Sequence, residues 1–309
     1  MLSRIAESLY WLGRYAERAE DTARILDVYF HLLLEDRWTD ETGACRALFE
    51  VMGLTEQTGR DNDSATLTSV LAFERSRGGS IVMSLESAWE NARGAQEAIS
   101  SEMWECINAT HEALASQVAV AVGQMPHQFF GWVKERSAVL AGLTGSTMSR
   151  DDGWRFLVLG RSLERVDMTA RLLSARYIDG WGEAAWVTTM RSCSAYEAYL
   201  MTYQHAVDSS SAAEFLVLDR LFPRSVYFSL KEAEDRLTEL VPGQGRAGAE
   251  DIARRHLGLA RAQLEFSSLR DLLTDLPGRL AVVQEHCSQA SAAVAERYFR
   301  PAAVMEWSA

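Results

Sequence analysis

"LGRYAERAEDTAR", Leu12 to Arg24, is answered 147 residues later by "LGRSLERVDMTAR", Leu159 to Arg171. Eight of the thirteen positions are identical: Leu12/Leu159, Gly13/Gly160, Arg14/Arg161, Glu17/Glu164, Arg18/Arg165, Thr22/Thr169, Ala23/Ala170 and Arg24/Arg171. Ordinary residue frequencies would give about one match by chance. An internal repeat of this kind sets the architecture of a chain.

Around the first copy, apolar residues fall at Leu2, Ile5, Leu9, Leu12, Ala16, Ala19, Ala23, Leu26, Phe30 and Leu33. Spacing that alternates three and four is the mark of an amphipathic helix, expected to end near Arg37. The second copy carries the same seam at Phe156, Leu159, Leu163, Val166, Ala170 and Leu173. Asp151 or Asp152 is its expected N-cap, with Gly180 beyond its C-terminus. No sustained period-two pattern appears. The five prolines (Pro126, Pro223, Pro242, Pro277, Pro301) lie at apparent helix boundaries, as an all-helical chain requires. The expected fold is an all-α bundle of about ten to twelve helices.

The repeat continues. "ERSRGGSIVMSLESA" from Glu74 aligns with "DRLFPRSVYFSLKEA" from Asp219, now offset by 145, matching Arg75/Arg220, Ser80/Ser225, Ser84/Ser229, Leu85/Leu230 and Ala88/Ala233. Order and offset together point to a tandem duplication, with repeats at approximately 1–142 and 152–300 inside one domain spanning 1–309. Duplicated helical units commonly pack about a pseudo-twofold axis, which would put the two long helices at the centre. Expected linkers are Gly53 to Ser64, Gly142 to Asp152 and Val241 to Gly248.

Composition narrows the function. With 31 basic and 43 acidic residues the formal charge is −12, which argues against nucleic-acid or anionic-membrane surfaces. Only Lys134 and Lys231 are lysines. An arginine excess suits bidentate anion recognition, though a genome-wide codon bias would produce it too. The four cysteines form no CxxC pair, which excludes a local thiolate zinc clasp and disfavours a disulfide scaffold. No stretch approaches eighteen uncharged apolar residues, and Arg4, Glu7 and Arg14 interrupt any signal-peptide core. Cytoplasmic residence is the default expectation.

Arg14, Glu17, Arg18, Asp21 and Arg24 fall opposite the apolar seam, three or four apart, and so are helix neighbours. The plainest reading is a solvated face of weak ion pairs. Two observations argue for more. Tyr10, Trp11, Tyr15 and Tyr29 make this helix apolar nearly all round, and Gly-Arg and Glu-Arg persist in both copies while Tyr15, Ala16 and Asp21 become Ser162, Leu163 and Met168. A buried Glu-Arg pair must be fully hydrogen-bonded, so it either locks the two halves or receives a charged ligand. The lock is the favoured reading. The alternative is a helical-bundle enzyme, or a protein binding a small anion, that uses Arg14, Glu17, Arg18, Arg161, Glu164 and Arg165. Ser80 and Ser225 stand at helix starts, where N-capping is the ordinary role. Arg220, Arg224 and Ser225 could instead cradle an anion at the helix N-terminus.

"ESLYWLGRYAERAEDTARIL" (7–26), "SLESAWENARGAQEAISSEMWECIN" (84–108), "LGRSLERVDMTARLL" (159–173) and "FLVLDRLFPRSVYFSL" (215–230) together resemble the alpha-E domain family, bacterial all-helical proteins named for a Glu-Arg motif. The resemblance spans almost the whole chain. It implies an accessory role beside, or fused to, ATP-grasp ligase-like and transglutaminase-like proteins, in a system that ligates peptides or amides. The implied partners are that ligase and a peptide or anionic substrate. No cofactor is implied.

Other chemistries find little support. No histidine has Glu or Asp three residues before it, as a di-iron bundle would need. "ERAED" and "DLLTD" have the spacing of Mg²⁺-binding acids, but Met168 breaks the second copy of the former. No GxxxxGK[ST] or GxGxxG occurs, so any nucleotide site belongs to a partner.

Overall fold

The computed structural model describes residues 1–35, 41–54, 63–76, 79–123, 126–179, 183–241 and 251–299. Within them lie fourteen α-helices and no strand: α1 (Ser3–Glu35), α2 (Glu41–Val51), α3 (Ser64–Thr68), α4 (Ile81–Gly94), α5 (Ser101–Gly123), α6 (Pro126–Thr147), α7 (Asp152–Asp179), α8 (Glu183–Ser192), α9 (Tyr196–Tyr203), α10 (Ser209–Leu218), α11 (Val226–Leu240), α12 (Ile252–Glu265), α13 (Leu269–Thr274) and α14 (Leu276–Val294). The count exceeds the expected ten to twelve because α3, α9 and α13 are too short to show a period. Asp275 also separates α13 from α14, its carboxylate capping Gly278 N–H at 3.2 Å.

The two long helices, α1 and α7, pack on each other at the centre. α4 and α6 lie against α1, and α11 and α14 against α7. Outside these, α5 packs on α4 and α6, while α12 packs on α11 and α14. The α7 seam from Phe156 to Leu173 is buried throughout. The α1 seam is buried from Ile5 to Leu26 except at Ala16, and Leu2 is exposed. Tyr10, Glu17, Asp21 and Ile25, off that seam, are also buried, so α1 is enclosed nearly all round.

Close approach is what lets two helices share the centre. A methyl group on Gly13 would stand 2.1 Å from the Leu157 carbonyl oxygen, and one on Gly160 would stand 2.0 Å from the Tyr10 carbonyl oxygen. Only glycine fits at either crossing point.

Helix starts follow the sequence. Asp151 caps α7, accepting from Gly153 and Trp154 N–H at 3.0 and 3.2 Å. Ser80 and Ser225 cap α4 and α11, accepting from Met83 and Phe228 N–H at 3.1 and 3.0 Å. Pro126 opens α6 and Pro277 sits in the first turn of α14. The expected linker from Gly142 to Asp152 is shorter, covering only Met148 to Asp151. α6 runs on to Thr147, carried by the half-buried Leu143 and the buried Thr144, and four residues join it to α7. Gly180, Arg37 and most of the other two expected linkers lie outside the described residues.

Candidate functional site

Both motif glutamates sit on the contact between α1 and α7, and each is bound by arginines that reach across it. Arg14 Nε donates to Glu164 Oε2 at 2.7 Å, and Arg18 Nε donates to Glu164 Oε1 at 2.6 Å. In the other direction Arg165 Nε donates to Glu17 Oε1 at 2.7 Å. The pairs therefore run between helices, not along one helix as the three-and-four spacing suggests. Side-chain exposure is 2% for Glu17 and 1% for Glu164, so neither carboxylate meets solvent.

Arg224 joins them from the turn before α11. It pairs with Glu17 Oε1 and with Glu20 at 2.7 Å each, and with Asp21. Glu20 also binds Arg24. Aromatic rings cover the outer side, with the Arg14 guanidinium 5.7 Å from the Trp11 ring centroid and that of Arg18 5.6 Å from Tyr15. These contacts add cation–π attraction to the charge pairing.

The electrostatics follow from burial and neighbours. Burial opposes ionisation of Glu17, yet Arg165 and Arg224 hold its carboxyl down at about 2. Asp21 goes the other way. Burial, with Glu17 and Glu20 beside it, lifts it to about 7 against the pull of Arg224. Against burial, Tyr10 and Glu164 raise Arg14, while Glu17 and Asp21 raise Arg224. Arg161 is lowered, by burial and then by Arg165.

Of the residues singled out from sequence, Arg14 and Arg18 thus gather on Glu164, and Arg165 and Arg224 on Glu17, as two clusters on one helix contact. Arg161 lies beside it without an ion pair. Arg220 does not join; it is 66% exposed and pairs with Glu265. Ser225 does not face the network's charges with a free hydroxyl, since that group caps Phe228 and donates to the Asp219 carbonyl. Glu20, Asp21 and Arg24 complete the cluster around Glu17, with Asp21 and Arg24 coming from the charged face that the spacing marks. The contrast between copies marks Asp21 alone: it meets Arg224 in space, and the corresponding positions, Met168 and Gly79, are both uncharged, whereas Glu20 corresponds to the acidic Asp167.

Cavities near the pairs are small. One of about 30 Å³ is lined by Glu17, Glu20, Ser137, Thr144 and Arg161 among others. A surface groove of about 540 Å³ between α2, α7 and α14, lined by Glu50, Asp167, Arg171, Gln284, Glu285 and Ser288, touches neither motif glutamate. Within it Asp167 accepts from Arg171 Nε at 2.8 Å and from Gln284 Nε2 at 2.7 Å. Among the described residues no group of three or more His, Cys, Asp or Glu is placed to hold a metal ion. No helix among them is long and apolar enough to cross a membrane.

Residues 1–299 match Alpha-E, described as "a predicted alpha-helical domain with a conserved ER motif". The chain belongs to the Alpha-E family. Curated relatives include an uncharacterized protein of Mycobacterium bovis and two of Mycobacterium tuberculosis strains, each 26% identical over 277 residues. The match covers 80% of this chain and 31% of each relative, so the Alpha-E chain spans about a third of their length. No solved structure matches it. Glu17-Arg18 and Glu164-Arg165 are Glu-Arg steps of this chain, and their side chains pair across the two helices, Glu17 with Arg165 and Glu164 with Arg18.

Proposed function

We propose that this Alpha-E chain is a non-catalytic accessory subunit of a bacterial ligation system, binding an ATP-grasp ligase-like partner or the peptide or amide substrate of that partner. The observation that carries this reading is the closure of the motif. Both glutamates are buried and their charge is satisfied by arginines of the opposite helix, so the motif joins elements and leaves no open face for a reacting group. An enzyme built on these residues would need a pocket of some hundreds of Å³ reaching them. The void beside Glu17 is about 30 Å³. The length of the relatives suits a module carried beside other functional parts, and the polar groove between α2, α7 and α14 offers a partner a surface separate from the lock.

The same reading includes a tandem duplication with pseudo-twofold packing, in which the motif locks one half to the other. Reciprocity supports it: Gly13 meets the residue 147 after Tyr10, and Gly160 meets Tyr10 itself, while Glu17 takes Arg165 and Glu164 takes Arg18. Superposing residues 3–120 on 150–270 of an experimental structure should bring Glu17 onto Glu164 and Ser80 onto Ser225. Superposition out of register would end the duplication.

The role itself is tested by affinity capture from the native host with mass spectrometry. A ligase-like protein of the ATP-grasp class is the expected partner. Reproducible capture that lacks any such protein would count against the reading, as would turnover of a small substrate by the purified chain alone.

A further inference from the structure

The two sides of the lock differ at one place. Arg14 donates to Glu164, but Arg161, its equivalent 147 residues on, has no ion pair, and its buried Nε–H meets no acceptor. Glu17 Oε1 already takes Arg165 and Arg224, both at 2.7 Å. On the other side Gly79 stands where an equivalent of Arg224 would be, so Glu164 is left free for Arg14.

Arg161 lines the void of about 30 Å³ between α1, α6 and α7, which is room for one or two water-sized groups. Ser137 also faces it, with a hydroxyl that makes no hydrogen bond to the protein. The Thr144 hydroxyl is spent on the Leu140 carbonyl. Glu17 and Glu20 border the void as well, but Arg165, Arg224 and Arg24 answer their charge. On this side of the contact Arg24 pairs with Glu20, Arg165 with Glu17, and Arg224 with Glu17, Glu20 and Asp21, which leaves Arg161 without an ion pair among the described residues. Glu232, whose charge also reaches Arg161, accepts from the Ser162 hydroxyl at 3.0 Å. Buried charge without a counter-charge is strongly disfavoured.

We propose that this void holds one small monovalent anion, either chloride or the carboxylate group of a small acid, bound by the Arg161 guanidinium and the Ser137 hydroxyl. Both are compact hydrogen-bond acceptors carrying a single negative charge, which suits a hydroxyl donor beside a guanidinium that has no ion pair.

Crystals of the full chain grown with bromide in place of chloride should give an anomalous peak in contact with Arg161. In parallel, thermal melts at constant ionic strength, balanced with a bulky sulfonate, should show the parent rising by about 5 °C between 1 and 100 mM chloride or formate. Arg161→Met should not respond. A rise with chloride alone identifies the halide, and one with formate alone the carboxylate. Ser137→Ala, which removes only a hydroxyl, should weaken the response and serves if Arg161→Met does not fold. Bromide only at the surface, or the same anion response in parent and variants, would overturn the site.

Discussion

Gly160 rests against the carbonyl oxygen of Tyr10 so closely that a methyl group in its place would stand 2.0 Å from that oxygen. Backbone cannot yield as a flexible side chain can, so α1 and α7 would have to part along the contact that holds both motif glutamates. Gly13→Ala and Gly160→Ala should each cost about 3 kcal/mol or more in thermal or denaturant unfolding. Gly142→Ala and Gly145→Ala in α6, where an added methyl group meets nothing within 4 Å, should stabilise by roughly 0.5–1 kcal/mol. Equal effects at the four sites would mean that the helices do not cross as described.

The motif glutamates set a second expectation. Glu164→Gln leaves Arg14 and Arg18 with a neutral acceptor where each had a carboxylate oxygen. Both arginines are mostly buried, so the loss should be about 3–5 kcal/mol, seen as an earlier melt or failure to express. Asp235→Asn, which breaks an exposed pair with Lys231, should leave the melt nearly where it was. A Glu164→Gln protein as stable as the parent would remove the case for a lock.

Much of this architecture is legible in the residues because helix period and capping act locally. The two seams, the Asp151, Ser80 and Ser225 caps and the central place of α1 all follow from spacing and side-chain chemistry. The partners of the arginines do not. Residues three or four apart suggested pairs along one helix, whereas Glu17 finds Arg165 and Arg224 from distant parts of the chain. Which neighbour wins depends on tertiary approach, and that approach is set by two glycines whose lack of a side chain gives no periodic signal. Arg224 read as part of an anion cradle for the same reason. Nothing beside it in sequence announces that it turns inward to Asp21.

The cysteines give a check on the packing. Cys45, Cys106, Cys193 and Cys287 are all free and buried. Burial raises all four thiols, pushing Cys193 and Cys287 up to about 12. Thiolate is the reactive form, so a colorimetric thiol reagent at pH 8 should label none of them in the native protein and all four in denaturant. One fast-reacting thiol in the native state would show that its helix is not packed as found.

Asp21 makes the network sensitive to pH. Its folded value of about 7 lies above its ordinary 3.8, so between those values the folded protein holds a proton that the unfolded chain has lost. Stability from this group is complete below 3.8 and is lost as pH rises through 7. Glu17 runs opposite. Held at about 2 against an ordinary 4.5, it contributes fully above 4.5 and loses that contribution as pH falls through 2. Between pH 8 and 4.5 Glu17 is therefore silent and Asp21 alone of the two titrates. Asp21→Asn removes the titration while keeping the shape. Its melting temperature relative to the parent should be highest at pH 8, where the parent carries a third buried carboxylate around Arg224, and should fall steadily toward pH 5 as the parent regains its proton. Taking the difference between the two proteins cancels groups common to both, His256 included. A difference that stays flat from pH 8 to 4.5 would mean that Asp21 is ionised throughout, with Arg224 outweighing both its burial and its acidic neighbours.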